Sequence, residues 1–170
     1  PQGALSGRVA PAAARFVAAP GLVSNGALVG FAFGQMAAET LAQLAPLGAL
    51  RITPWRMLMI EGLRALPDLP GLLLDAADPI RRVEACSGAP ACLQAHAPVR
   101  ALAARLALDV PIGKRLHVSG CAKGCAHPGR ADLTLVATGA GFDLIRDGHA
   151  FDPPEVRGLA SDALDLKGQF

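Results

Sequence analysis

Apolar and polar positions alternate in short runs cut by glycine and proline, a pattern that predicts many brief elements over a few long ones. Residues 1–25 are rich in Ala, Gly and Pro without a period and read as a lead-in. Ala27–Phe33 (ALVGFAF) is an apolar run suited to a buried strand. Beyond it, Met36, Ala37, Leu41, Leu44 and Leu47 follow helical spacing, with Gly48 as the stop. Leu50–Thr53 and Arg56–Ile60 read as strands on either side of Pro54. These elements form a β-α-β-β unit over residues 26–78. Its last part, Leu63–Asp78, is expected to be a short helix and connector broken by Pro67 and Pro70.

A second unit is expected over residues 79–170. Val83–Cys92 reads as a loop of small residues, followed by a helix whose face carries Val99, Leu102, Ala103 and Leu106. Arg115–Ser119 is a candidate strand. Asp132–Ala137 and Phe142–Arg146 form a hairpin through the turn T-G-A-G, and Pro153–Leu166 is expected to be an amphipathic helix. The fold class is α+β.

The chain has 170 residues, 52% hydrophobic and 18% charged, which is enough to bury a core and argues against disorder. A net charge of +2 is too small to suggest a nucleic-acid partner, and with no tyrosine and one tryptophan there is little surface for stacking on bases. Proline, glycine or charge interrupts every apolar run before about 20 residues, so no membrane span is expected. No basic segment leading into an apolar one marks the chain for export. The expectation is a soluble, cytoplasmic protein.

The chemistry is concentrated in four cysteines: Cys86 and Cys92 as C-x5-C, Cys121 and Cys125 as C-x3-C, 28 residues apart. Their contexts, ACSGAPAC and VSGCAKGCAHP, are small and glycine-containing. Two disulfides need an oxidising compartment. A structural zinc site prefers C-x2-4-C, which the second pair meets and the first does not. A cubane cluster accepts wider and unequal spacings, because each thiolate takes a different corner iron. Soft thiolate ligands for an iron–sulfur cluster are therefore the favoured use of these residues.

ACSGAPAC followed by LHVSGCAKGCAHP resembles the cluster-binding region of the sulfite/nitrite reductase superfamily. LRITPWRMLMIEG resembles the R-[IL]-T segment of that family's ferredoxin-like half-domain, and ADLTLVATGAGFDLIRDG the strand pair after the cluster. The resemblance is collinear over roughly residues 25–150. It implies a ferredoxin-like half-domain followed by an α/β domain holding a [4Fe-4S] cluster on Cys86, Cys92, Cys121 and Cys125. Within the superfamily, TPWR and GCAKGCAHP resemble the precorrin-3B synthases. Lys123 stands where the reductases carry asparagine, and Arg56 where they commonly carry glutamine.

That branch implies a monooxygenase of aerobic cobalamin synthesis. It hydroxylates precorrin-3A at C20 and closes a γ-lactone, consuming O2 and reducing equivalents formally from NADH, and an additional non-haem iron is a further cofactor candidate. The alternatives are the cluster-bearing half of a sirohaem-dependent sulfite or nitrite reductase, or a [4Fe-4S] electron-transfer module without catalysis. A polycarboxylate substrate needs cations, and Arg51, Arg56 and Lys123 are the candidates, each in a landmark segment. Lys123 also has the charge to raise the potential of a neighbouring cluster. Gly120 and Gly124 are expected to let backbone N–H groups approach the sulfurs. His127 is a candidate sulfur donor set against a packing or capping role. His96, His117 and His149 are expected to be structural, and Trp55 packing or a pocket wall. No catalytic residue is identifiable. The family is built from two similar halves, and this chain resembles the C-terminal one, so an N-terminal half is an expected partner and the chain alone is expected to lack turnover.

Overall fold

Strand β1 (Gly21–Val23) turns through Ser24-Asn25 into β2 (Gly26–Gly30), whose residues are all buried. The computed structural model describes residues 18–170. The lead-in expected over 1–25 thus lies largely outside the described residues, and its last part is not loose, since β1 pairs antiparallel with β2. Helix α1 (Ala38–Leu44) follows, built from strong helix formers, and tightens into a 3₁₀ turn over Ala45–Leu47 before Gly48. Next come β3 (Leu50–Ile52) and β4 (Met57–Glu61), separated by the turn at Pro54-Trp55. The four strands form an antiparallel sheet in the order β1-β2-β4-β3.

Alternation along β2 and β4 gives this sheet two unlike faces. Val29, Leu58 and Ile60 point with Leu44 of α1 into one cluster, capped by Leu63, Leu69, Leu72 and Leu74. Leu28 and Met57 lie on the other face with Ala18. The helix expected within Leu63–Asp78 does not form. The segment runs as turns and extended chain, and Leu73 bridges to Gly30. Pro67 and Pro70 deny it an uninterrupted turn, and its leucines are used as a lid on the sheet.

The second sheet has five strands: β5 (Val83–Ala85), β6 (Leu116–Ser119), β7 (Ala131–Thr138), β8 (Gly141–Gly148) and β9 (Val156–Leu159), in that order. The first three are parallel and the last two antiparallel additions. Helix α2 (Arg100–Leu106) makes the crossover between β5 and β6. It buries Leu102, Ala103 and Leu106 against Leu116, Val118, Leu133 and Leu135.

Two sequence expectations fail here. Val83–Ala85 is a strand, not a loop, and Pro153–Leu166 supplies strand β9 in place of a helix. Gly158, at φ 67°, and the open edge of β8 favour pairing there over an isolated amphipathic turn. The chain is α+β with two sheets and few helices, as its residue pattern implies. Among the described residues no helix is long and apolar enough to cross a membrane.

Candidate functional site

Because β5 and β6 are parallel neighbours, with Val83 opposite Leu116 and Ala85 opposite Val118, the chain leaves both at the same end. Cys86 follows β5 directly, and Gly120-Cys121 follows β6 directly. The loop ends of neighbouring parallel strands are where open α/β sheets gather ligands. The two cysteine segments are stitched together there. The Gly120 N–H donates to Cys86 Sγ at 3.2 Å, and the His96 N–H to the Gly120 carbonyl at 2.8 Å.

Gly120 is needed for its size. A β-carbon there would stand 2.7 Å from the Ala95 methyl and 3.3 Å from Cys86 Sγ, so no larger residue lets the loops approach this closely. Within the first segment the Cys92 N–H donates to the Gly88 carbonyl at 2.8 Å, and the Ala89–Pro90 peptide is cis. In the second, the Ser119 hydroxyl donates to the Cys121 carbonyl at 2.7 Å.

Cys86, Cys92 and Cys121 are partly buried and Cys125 is exposed, and none is in a disulfide. One tetrahedral ion needs its sulfurs about 2.3 Å from a common point. Among the described residues no three His, Cys, Asp or Glu side chains gather in that way. The donor set, four thiols on two adjoining loops with a backbone N–H aimed at one sulfur, is of the kind an iron–sulfur cluster takes.

Beneath the second segment the outer face of β6 and β7 carries His117, Ser119 and Thr134 beside a small apolar cluster of Val136, Ile145 and Ala150. His117 is fully buried there, and neither ring nitrogen has a hydrogen-bond partner. Burial, then the neighbouring His127 and Arg56, pushes its pKa down to about 4, so the ring is neutral near neutral pH. Gly124, at φ 63°, lies over it: a β-carbon would meet the Ala150 methyl at 3.0 Å and His117 Cε1 at 3.5 Å. His127 Nε2 lies 3.0 Å from the Arg130 carbonyl, an acceptor that fixes the ring proton on that nitrogen. This is the geometry of a cap on its own turn.

The three candidate cations do not converge. Arg51, on β3, pairs with Glu61, which raises its pKa, and lines an open apolar groove of about 630 Å³ with Leu28, Ile52, Trp55 and Met59. Arg56 lies at the junction of the two sheets, beside a cavity of about 140 Å³ bounded also by Phe33, Ile80 and Glu84. Its Nη1 pairs with Glu84 and its Nη2 donates to the Ala126 carbonyl at 2.7 Å. Lys123 is exposed in the C-x3-C loop, with no hydrogen bond or ion pair to another described residue. No cysteine lines either hollow.

Sequence reasoning missed Arg100, Glu84 and Ser119. Arg100 Nε donates to the Cys86 carbonyl at 3.1 Å, and Glu84 binds both Arg56 and Arg115. One signal for Arg100 was present: a cation at the first position of a helix opposes the helix dipole, so its side chain is wanted elsewhere. A lone acid between two buried apolar residues was the comparable signal for Glu84.

No family model matches the chain. It is 32% identical, over 181 aligned positions, to a precorrin-3B synthase from Sinorhizobium sp., in an alignment that takes in 93% of this chain and 38% of that protein. The chain therefore spans well under half the length of that relative. Among solved structures it is similar to the NirA protein of Mycobacterium tuberculosis, with a TM-score of 0.60 and 21% identity over 83% of this chain and 33% of that one. The second likeness is one of fold.

Proposed function

We propose that the chain is the cluster-bearing part of a precorrin-3B synthase, a reading supported by its 32% identity to such a synthase over 93% of its own length and by its likeness in fold to the NirA protein. In this proposal residues 26–78 are its ferredoxin-like half-domain and residues 79–170 its cluster domain. The observation that carries the proposal is the departure of both cysteine segments from one end of the parallel pair β5 and β6.

Cys86, Cys92, Cys121 and Cys125 would hold a [4Fe-4S] cluster. When bound, that group supplies one-electron transfer, which no side chain here provides. The chain's own residues do the rest. The Gly120 N–H directs a donor at Cys86 Sγ, which stabilises negative charge on that sulfur. Lys123, exposed between Cys121 and Cys125, adds a positive charge beside the same segment. Arg51, which lines the apolar groove and pairs with Glu61 through Nε, would offer its Nη groups to a substrate carboxylate, with Trp55 and Ile52 as flat and apolar walls for a macrocycle.

The overall reaction would be hydroxylation of precorrin-3A at C20 with closure of a γ-lactone. One oxygen atom of O2 enters the product, the other leaves as water, and two electrons come formally from NADH. The remainder of the longer protein would supply the other wall of the substrate cleft.

The test is anaerobic purification of the full-length protein, with absorption and low-temperature EPR spectra before and after precorrin-3A is added. A reducible cluster signal that precorrin-3A perturbs, without sirohaem bands, is the expected result. Sirohaem bands coupled to the cluster would make the protein a reductase. A reversible redox signal indifferent to tetrapyrroles would make it an electron carrier.

A further inference from the structure

Two guanidinium groups join the β-α-β-β unit to the segments that carry the cysteines. Arg56, in the turn before β4, reaches the Ala126 carbonyl at 2.7 Å, one residue past Cys125, and pairs through its other Nη with Glu84, two residues before Cys86. Arg100, at the start of α2, donates from Nε to the carbonyl of Cys86 itself at 3.1 Å and from Nη1 to Gln35, in the chain leading from β2 to α1. Both ends of the thiol set are thus tied, each through a main-chain carbonyl, to the β-α-β-β unit: one to the turn before β4, the other to the chain between β2 and α1.

A held carbonyl fixes a peptide plane, and with it the direction in which the adjoining residue projects its side chain. Guanidinium suits this task because its rigid fork of five donors engages acceptors from two elements at once, and it is always charged. The ion pair between Arg56 and Glu84 is partly exposed and weak as a source of stability, so its use is directional. The backbone is shaped for the reach. Arg56 is at φ 57° and nearby Phe33 at φ 55°, both rare for residues with side chains. Gly34 leaves room for the arginine stem, since a β-carbon on it would stand 3.2–3.3 Å from Cβ, Cγ and Cδ of Arg56.

We propose that Arg56 and Arg100 are positioning residues through which the β-α-β-β unit sets the main chain at both ends of the thiol set, Arg56 beyond Cys125 and Arg100, held by Gln35, at Cys86. This deepens the proposed function and rests on it in one respect, that the positioned thiols serve as cluster ligands. It also assigns Arg56 to the cysteine segments in place of substrate carboxylates.

The test is hydrogen exchange, read by segment in the full-length protein, for Arg56→Ala, Arg56→Lys, Arg100→Ala and Arg115→Ala. It is run without metal and again after anaerobic reconstitution with iron and sulfide. Arg115→Ala removes the other partner of Glu84 without touching a cysteine segment. Arg56→Ala is expected to speed exchange about tenfold in residues 121–128, and Arg100→Ala in residues 86–97, the scale of one lost charge-assisted hydrogen bond. Hairpin β7–β8 should keep its wild-type rates, Arg115→Ala should leave 121–128 unchanged, and Arg56→Lys should restore protection only in part. In the reconstituted protein the EPR line shape of the reduced centre should change in Arg56→Ala and Arg100→Ala.

Equal acceleration in the hairpin, or none in either segment, overturns the inference. If Arg56→Ala does not fold, Arg56→Gln is read by the same criteria. A wild type that takes up no iron would sink the proposed function, whereas the metal-free exchange rates still decide the tethers.

Discussion

His117 and His127 meet edge to face beneath the second cysteine segment, with ring centroids 5.8 Å apart and planes at 77°. The inner ring is sealed from solvent and the outer one caps its own turn. A buried imidazole with no partner is stable only while uncharged.

The stability of the fold should therefore fall in mild acid. The folded pKa of His117, about 4, lies below the ordinary 6.5, so between these values the unfolded chain binds the extra proton. Stability is fully present above pH 6.5 and declines as pH falls toward 4, by up to about 1.4 kcal/mol per pH unit. Replacing His117 with Leu removes the penalty. Urea unfolding midpoints measured from pH 4 to 7 should slope for the wild type and flatten for His117→Leu. A wild-type midpoint independent of pH in this window would contradict the assignment.

Gly120→Ala should force the two cysteine segments apart, because the added methyl meets the Ala95 methyl at 2.7 Å. A clash of this kind in a packed site costs about 1–3 kcal/mol. Thermal unfolding should show the loss, and alkylation of metal-free protein should become faster at Cys86, whose sulfur loses the Gly120 N–H. An unchanged melting temperature would mean that the loops have more play than these distances imply.

Replacing Cys86, Cys92, Cys121 or Cys125 singly with Ser should lower the iron and sulfide retained after anaerobic reconstitution. The loss should reach the majority of wild-type content in each case, because one hard oxygen among soft ligands weakens the whole set. Retention at wild-type level in any one variant would remove that residue from the ligand set.

Lys123→Gln should shift the reduction potential of the reconstituted protein to more negative values, by on the order of tens of millivolts for one partly screened charge. Because Lys123 is exposed and makes no hydrogen bond or ion pair to another described residue, the melting temperature should not move. Arg51→Ala should do the reverse, leaving the potential unchanged while weakening tetrapyrrole binding as measured by fluorescence quenching. A potential that ignores Lys123 would place its charge away from the cluster.

Local signals carried β2, β3 and β4 of the first sheet and the hairpin, but not β1, which falls within the expected lead-in. Leu133, Leu135 and Ala137 face the core in alternation, and the Gly139–Gly141 turn is written in neighbouring residues. Strand β5 was not legible, because three residues cannot show a period and Val83–Ala85 is a strand only through its pairing with β6. Strand β9 was misread for a related reason. Val156 and Leu159 have helical spacing, and the edge of β8 that claims them lies elsewhere in the chain. At the site, the four thiols stand out by residue type. The contacts from Arg56, Arg100 and Gly120 join distant positions and leave only faint traces, such as a cation at the first residue of α2, while the Ser119 bond to the Cys121 carbonyl is local but carried by a residue type with many other uses.

The parallel register of β5 and β6 also sets an order of events in folding. The β7–β8 hairpin closes over a two-residue turn and can form in microseconds, whereas pairing Val83 with Leu116 must close the whole α2 crossover and is expected to be slower. The thiols of a newly made chain are consequently scattered until this late, long-range closure. Under the proposed function, a cluster delivered earlier would meet two separate thiol pairs, so loading would come after this closure.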